Sequence, residues 1–224
     1  MCFGKSKFCT ELGTDPEKWS SKCPLPPPTY LEESLNYFTE SYKLALRGQK
    51  DESIAALQKT RSDKLREWYV VHSSYSGHRN RVNGLGKPLP DKYIGKLDAR
   101  ERFSVAEERE INQRDNYICR YCEEKVIDKK VLEKMEKTIG SEHFKVSGNS
   151  NAIRHGLVFF IRATVDHVLP RSYGGFTDID NGVTSCWSCN YGKRNALLYQ
   201  MGIDDPRDRP VINKNLWDGL TSTL

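Results

Sequence analysis

Two CxxC hooks, Cys119/Cys122 in YICRYC and Cys186/Cys189 in SCWSCNYGK, bracket an Asp-His pair, Asp166-His167 in TVDHVLPRSYGG. Each hook offers two thiolates across one tight turn, so the two together predict one closed tetrahedral Zn²⁺ site per chain. A four-thiolate site leaves no open coordination position, and its metal holds structure without doing chemistry. Reactivity must sit beside the zinc, and the Asp-His pair is the candidate. His167 suits a general base, because an imidazole pKa near ~6.5 leaves much of the ring neutral at pH 7.

The elements that must position these groups can be read around them. GLVFFIRATVDHV, residues 156–168, is β-branched and aromatic and predicts a strand ending at the Asp-His. PRSYGGFTDIDNG reads as a loop and VTS as a short strand. The second hook then opens a helix running through NYGKRNALLYQM. Gly174 and Gly175 let the loop turn tightly and come close to a substrate.

The string DHVLPRSYGGFTDIDNGVTSCWSCNYGK resembles the HNH endonucleases, whose fold is a ββα-metal finger. His167 to Asn181 is 14 residues and Asn181 to Asn190 is 9, the steps between the family's three signature positions, in an HNN form. QRDNYICRYC is similar to the segment carrying the family's first zinc hook, and MGIDDPRDRP to the C-terminal extension of stand-alone bacterial members. The resemblance implies that Asp166 is a metal ligand and that Asn190 supplies a second through its amide oxygen. Such hard donors favour Mg²⁺ or Mn²⁺. The metal would bridge a phosphate oxygen and the leaving 3′ oxygen as Lewis acid and template, giving 5′-phosphate and 3′-hydroxyl ends. Asn181 would bond loop backbone and hold His167 in place. Arg171, Lys193 and Arg194 are expected to grip substrate phosphates. Between Cys122 and Asp166 lie 43 residues, more than a compact finger needs.

The fold class expected is α+β, with a helical N-terminal region followed by the zinc-stapled finger. Residues 1–28 read as an irregular, Pro-rich leader, 29–108 as a mainly helical region, 109–200 as the nuclease domain and 201–224 as an extension packed on it. Leu31, Leu35, Phe38, Tyr42 and Leu46 recur on one helical face. A second helix, capped by Asp51, carries Ile54, Leu57, Leu65, Trp68 and Tyr69. Residues 72–93 read as a loop rich in Gly, Ser, Asn and Pro, and its Arg79 and Arg81 are candidate phosphate contacts. Residues 98–116 predict a helix leading into the first hook, and VLEKMEKTIG a short helix ending at Gly140. His143 and His155 read as structural, Trp187 as packing on the finger, and Trp217 and Leu220 as docking the tail.

The 224 residues carry a formal charge of +5, which zinc with four thiolates lowers to about +3. That mild basic balance suits a polyanion without requiring one. No stretch approaches the ~18 apolar residues of a membrane span. Seven cysteines, an odd number, without a secretory signal at the N-terminus fit a reducing cytoplasm. The reading is a cytoplasmic, metal-dependent endonuclease acting on DNA, with RNA as the alternative substrate. Helices 29–108 would orient nucleic acid, form a homodimer, or contact another subunit. Two other readings compete: an effector nuclease of a defence system, silent until a partner activates it, and a non-catalytic zinc module that binds nucleic acid.

Overall fold

A computed structural model describes residues 15–72, 81–83, 85–88 and 91–224. The protein is helical with a small two-stranded sheet. Helix α1 (Leu31–Leu46) buries Leu31, Leu35, Phe38, Tyr42 and Ala45, at steps of three and four. Leu46, expected on that face, is exposed, and Ala45 takes the inward position. α1 packs on α2 (Lys50–Gln58) through a buried reciprocal pair: Ser41 Oγ donates to Ser53 O at 2.7 Å, and Ser53 Oγ to Ser41 O at 2.9 Å.

The single second helix expected is two. α2 ends where Thr60 Oγ1 donates to Leu57 O at 2.6 Å, Arg61 takes a positive φ of 54°, and α3 (Ser62–His72) begins at the next residue. Apolar spacing carried no trace of that break because both helices turn apolar residues to one core. Asp51 lies in the first turn of α2, one residue past its start, and the cap position is Gln49.

Helix α4 (Val105–Arg114) starts later than expected, at a capping box: Glu107 N donates to Ser104 Oγ at 3.2 Å, and Ser104 N to Glu107 Oε2 at 2.8 Å. Helix α5 (Lys129–Ile139) turns Val131, Leu132, Met135 and Ile139 inward and stops at Gly140, φ 103°.

Residues 156–168 do not form one strand. Val158–Ile161 is a short helix, α6, and only Ala163–His167 is strand β1. The partner strand β2 (Gly182–Cys186) is five residues long and pairs antiparallel, His167 against Gly182 and Ala163 against Cys186. Upstream of Ala163 the backbone pairs only through a single parallel bridge, Ile127 with Arg162, among the described residues. Before that bridge the buried backbone N–H groups are satisfied locally, Val158 N by His155 O and Ile161 N by Leu157 O. Helix α7 (Trp187–Lys193) ends at Arg194, φ 52°, and α8 (Leu198–Met201) follows as a separate turn. The one helix expected after the second hook is therefore also broken.

Two apolar clusters result. One joins α1, α2 and α3 to α5, α6 and the segment around Phe144, so the insertion between Cys122 and Asp166 shares its core with the N-terminal helices. The other surrounds the four cysteines with Tyr117, Tyr121, Val126, Val183 and Met201. Trp187 belongs to the first, its indole donating to Tyr69 OH at 3.1 Å while Tyr69 stacks on Phe159 at 4.0 Å, and Trp217 packs against both, its indole donating to Val126 O at 2.8 Å. Among the described residues no helix is long and apolar enough to cross a membrane.

Candidate active site and zinc cluster

Cys119, Cys122, Cys186 and Cys189 bring their sulfurs within 4.8 Å of one another, three of them buried. Cys122 Sγ lies 3.8 Å from Cys186 Sγ. A tetrahedron of ~2.3 Å Zn–S bonds has S···S edges of about 3.8 Å, so the donor set fits zinc. Cys186 also caps α7, its sulfur accepting from Cys189 N at 3.3 Å. The hook that supplies half of this donor set thus starts the helix bearing Asn190.

Asp166 is buried at the end of β1 beside this cluster. Its Oδ2 accepts from Tyr121 OH at 2.6 Å and pairs with Lys193 Nζ at 3.1 Å. Tyr121 lies inside the first hook, between two zinc-cluster thiols. Burial first, and then the Asp166 carboxylate, push its phenol well above the ordinary value, so it stays a donor. Lys193 also donates to His167 O at 2.7 Å and is fully buried. Its expected place against a phosphate backbone is overturned: it is a counter-ion inside the site.

His167 points to the other strand face, against Phe103, with ring centroids 4.5 Å apart. Its Nε2 lies 3.1 Å from Thr177 Oγ1. That hydroxyl donates its only proton to Arg100 O, 2.7 Å away, so toward the ring it accepts. The proton of the neutral imidazole therefore sits on Nε2, and the Nδ1 lone pair has no partner among the described residues. Burial holds the ring below its ordinary pKa, the Asp166 carboxylate pulling the other way and the Lys193 ammonium adding to the depression.

Thr177 is tied to a segment before α4. Its N donates to Asp98 Oδ2 at 2.7 Å, and Arg100 donates through its guanidinium to Thr177 O. Nothing in the spacing of residues 98–103 marks them as part of the site. The one local signal was Ser104-x-x-Glu107, which fixes where that segment must stop being helix.

Asn181 closes the loop between the strands. Its Oδ1 accepts from Leu169 N at 2.9 Å, and its Nδ2 donates to Leu169 O at 3.0 Å and Phe176 O at 2.8 Å. The loop comes so close that a Cβ on Gly175 would lie 1.9 Å from Leu169 O, and Gly174 takes φ 86°. Asn190 leans on β1, its Nδ2 donating to Thr164 Oγ1 and Val165 O, both at 3.2 Å. That leaves its Oδ1 without a partner among the described residues.

Of the expected phosphate contacts, Arg171 is half-buried and donates through Nε to Asp98 O at 2.9 Å, while Arg194 is exposed at the end of α7. Arg81 is buried, and its guanidinium donates to the carbonyls of Met201, Ser20 and Cys23. It ties the leader to α8 and faces no solvent, which overturns its expected phosphate contact. Arg79 lies outside the described residues.

Residues 156–196 match the family model described as HNH endonuclease. The chain matches no curated protein and no solved structure.

Proposed function

We propose that the HNH endonuclease domain of this chain hydrolyses phosphodiester bonds of DNA, with a divalent metal held by Asp166 and Asn190 and with His167 as general base. The observation that carries this reading is the division of labour on β1. One strand end presents a carboxylate and, on the opposite face, an imidazole whose free nitrogen is defined by its neighbours. Helix α7 adds an amide oxygen with no partner among the described residues.

Water attacks phosphorus only as its proton leaves, and His167 Nδ1 is the lone pair available to take it. The ring is held for that task by Thr177 on Nε2 and Phe103 on its face, and the backbone beneath it by Lys193 on the main-chain carbonyl. Asn181 keeps the loop that carries Thr177 from shifting. Tyr121 and Lys193 both occupy Oδ2 of Asp166, which leaves Oδ1 to face a cation. Carboxylate and amide oxygens suit Mg²⁺ or Mn²⁺, which when bound supplies Lewis-acid stabilisation of the phosphate and the leaving oxygen. The four-cysteine cluster carries the structural zinc.

Supercoiled plasmid incubated with purified protein and Mg²⁺ or Mn²⁺ tests the proposal. Relaxed or linear product should form, vanish with a chelator, and be absent with His167→Ala of unchanged fold and zinc content. No cleavage of any DNA by folded, zinc-loaded protein would overturn it.

A further inference from the structure

The loop beside His167 exposes two large apolar side chains, Leu169 at 40% and Phe176 at 64%. Loose loops often do this, but this loop is not loose. The backbones of both residues are bonded by the one Asn181 amide, so their positions are tied to each other. Leu169 lies two residues after His167. Phe176 directly precedes Thr177, whose hydroxyl meets the imidazole. The hydrogen bonds that set the base therefore also set the two apolar groups. Arg171, between them in sequence, is held to Asp98 O, and its side chain stays 29% exposed.

Two exposed apolar side chains whose backbones share one amide fit a partner, and their place decides which kind. A protein docked here, or a second copy of the chain, would sit on the loop whose Thr177 meets the His167 ring. Bases reach this position together with the phosphate that His167 serves. Every base has an apolar face, so stacking on a phenyl ring needs no sequence. Leu and Phe also part base steps when pressed between them, and kink the duplex as they do so.

We propose that Phe176 and Leu169 form a wedge that enters the base stack of DNA beside the scissile phosphate. The substrate class is then DNA whose bases part easily: single-stranded, mismatched or bent, in preference to a fully paired duplex. This rests on the nuclease reading of Asp166, His167 and Asn190.

Two measurements test it. In the first, His167→Ala protein is mixed with an oligonucleotide carrying 2-aminopurine, whose fluorescence rises when it is unstacked. Binding should brighten the probe, and adding Phe176→Ala should abolish the brightening at saturating protein. In the second, protein with His167 intact cuts mismatched and fully paired duplexes of one sequence. The mismatched duplex should be cut roughly 10-fold faster, since a base that is already unpaired costs least to unstack. Phe176→Ala and Leu169→Ala should bring the two rates within about 2-fold, and Phe176→Trp should restore the gap. Equal rates on both duplexes, or a preference that survives Phe176→Ala, would overturn the wedge while leaving the nuclease standing. Bound oligonucleotide with no brightening would do the same. A concentration-dependent dimer lost in Phe176→Ala, without any change in 2-aminopurine, would assign the pair to a second copy and also overturn the wedge. Failure to bind or cut any DNA would overturn both readings.

Discussion

A carboxylate that is to hold a cation must be turned before the cation arrives, and on the proposed reading Tyr121 and Lys193, both on Oδ2, would do this for Asp166. Tyr121→Phe removes one hydroxyl and none of the four thiols. Zinc content should stay at one per chain by elemental analysis. The Mg²⁺ concentration giving half-maximal cleavage should rise about 10- to 100-fold, the usual effect of removing a partner of a metal ligand. An unchanged metal dependence would mean that Lys193 alone orients the carboxylate. The imidazole gives a second expectation. A base works deprotonated, and burial holds His167 below its ordinary value. The acid limb of the single-turnover cleavage rate should therefore have its midpoint below ~6.5, with activity persisting at pH values where a free imidazole is largely protonated. A midpoint above that value would contradict the assignment. The candidate set at this scale could be picked out because its spacing is local: Asp166-His167, Asn181 and Asn190 fall within 25 residues. Tyr121, Thr177 and Arg100 were not. Each matters through a hydrogen bond that only the fold creates, and Lys193 was misread because charge alone says nothing about which way a helix turns.

At the scale of elements, the second hook supplies half of a cysteine cluster that fits zinc and also starts a helix, since Cys186 caps α7 and α7 carries Asn190. Cys186→Ser keeps a side chain able to cap but removes a thiolate, so it separates these two roles. Zinc should be lost and the finger destabilised, because binding energy at a structural site, ~10–16 kcal/mol in small zinc modules, is folding energy. Urea denaturation beside a zinc assay checks this, and a well-folded, zinc-free Cys186→Ser protein would contradict it. The helices α1 and α5 followed from their apolar spacing. The residues from Gly156 to Ile161 did not resolve, because a short, fully buried apolar run satisfies either period. In the fold β1 pairs with the five residues of β2, the residue before it makes only a single bridge to Ile127, and the run upstream turns helical. The breaks at Arg61 and Arg194 escaped for another reason. Both are positive-φ turns at residues other than glycine, so the sequence gives no warning.

For the molecule as a whole, the shared core means that the finger's insertion and the N-terminal helices stand or fall together, and His155 reports on that union. It is buried where the end of α2 meets the insertion, its Nε2 3.4 Å from Thr60 Oγ1 and its ring 4.9 Å from Phe144. Burial first, and then the nearby Arg66 guanidinium, lower its pKa to about 3. The unfolded chain takes up this proton near pH ~6.5 and the folded chain does not, so above that pH the buried neutral ring brings no penalty. As pH falls from there toward about 3, protonation favours the unfolded state. The slope well below pH ~6.5 is about 1.4 kcal/mol per pH unit, so the unfolding free energies from urea denaturation at pH 7.5 and 5.5 should differ by about 1.4 kcal/mol from this residue alone. Carboxylates and thiols contribute to the measured slope as well, so the comparison that counts is with His155→Asn. That variant should be less stable at pH 7.5 for its poorer packing, yet lose about 1.4 kcal/mol less on going to pH 5.5. Parallel curves for the two proteins would show that His155 is reached by solvent and that the two halves of this core part more readily than its packing implies.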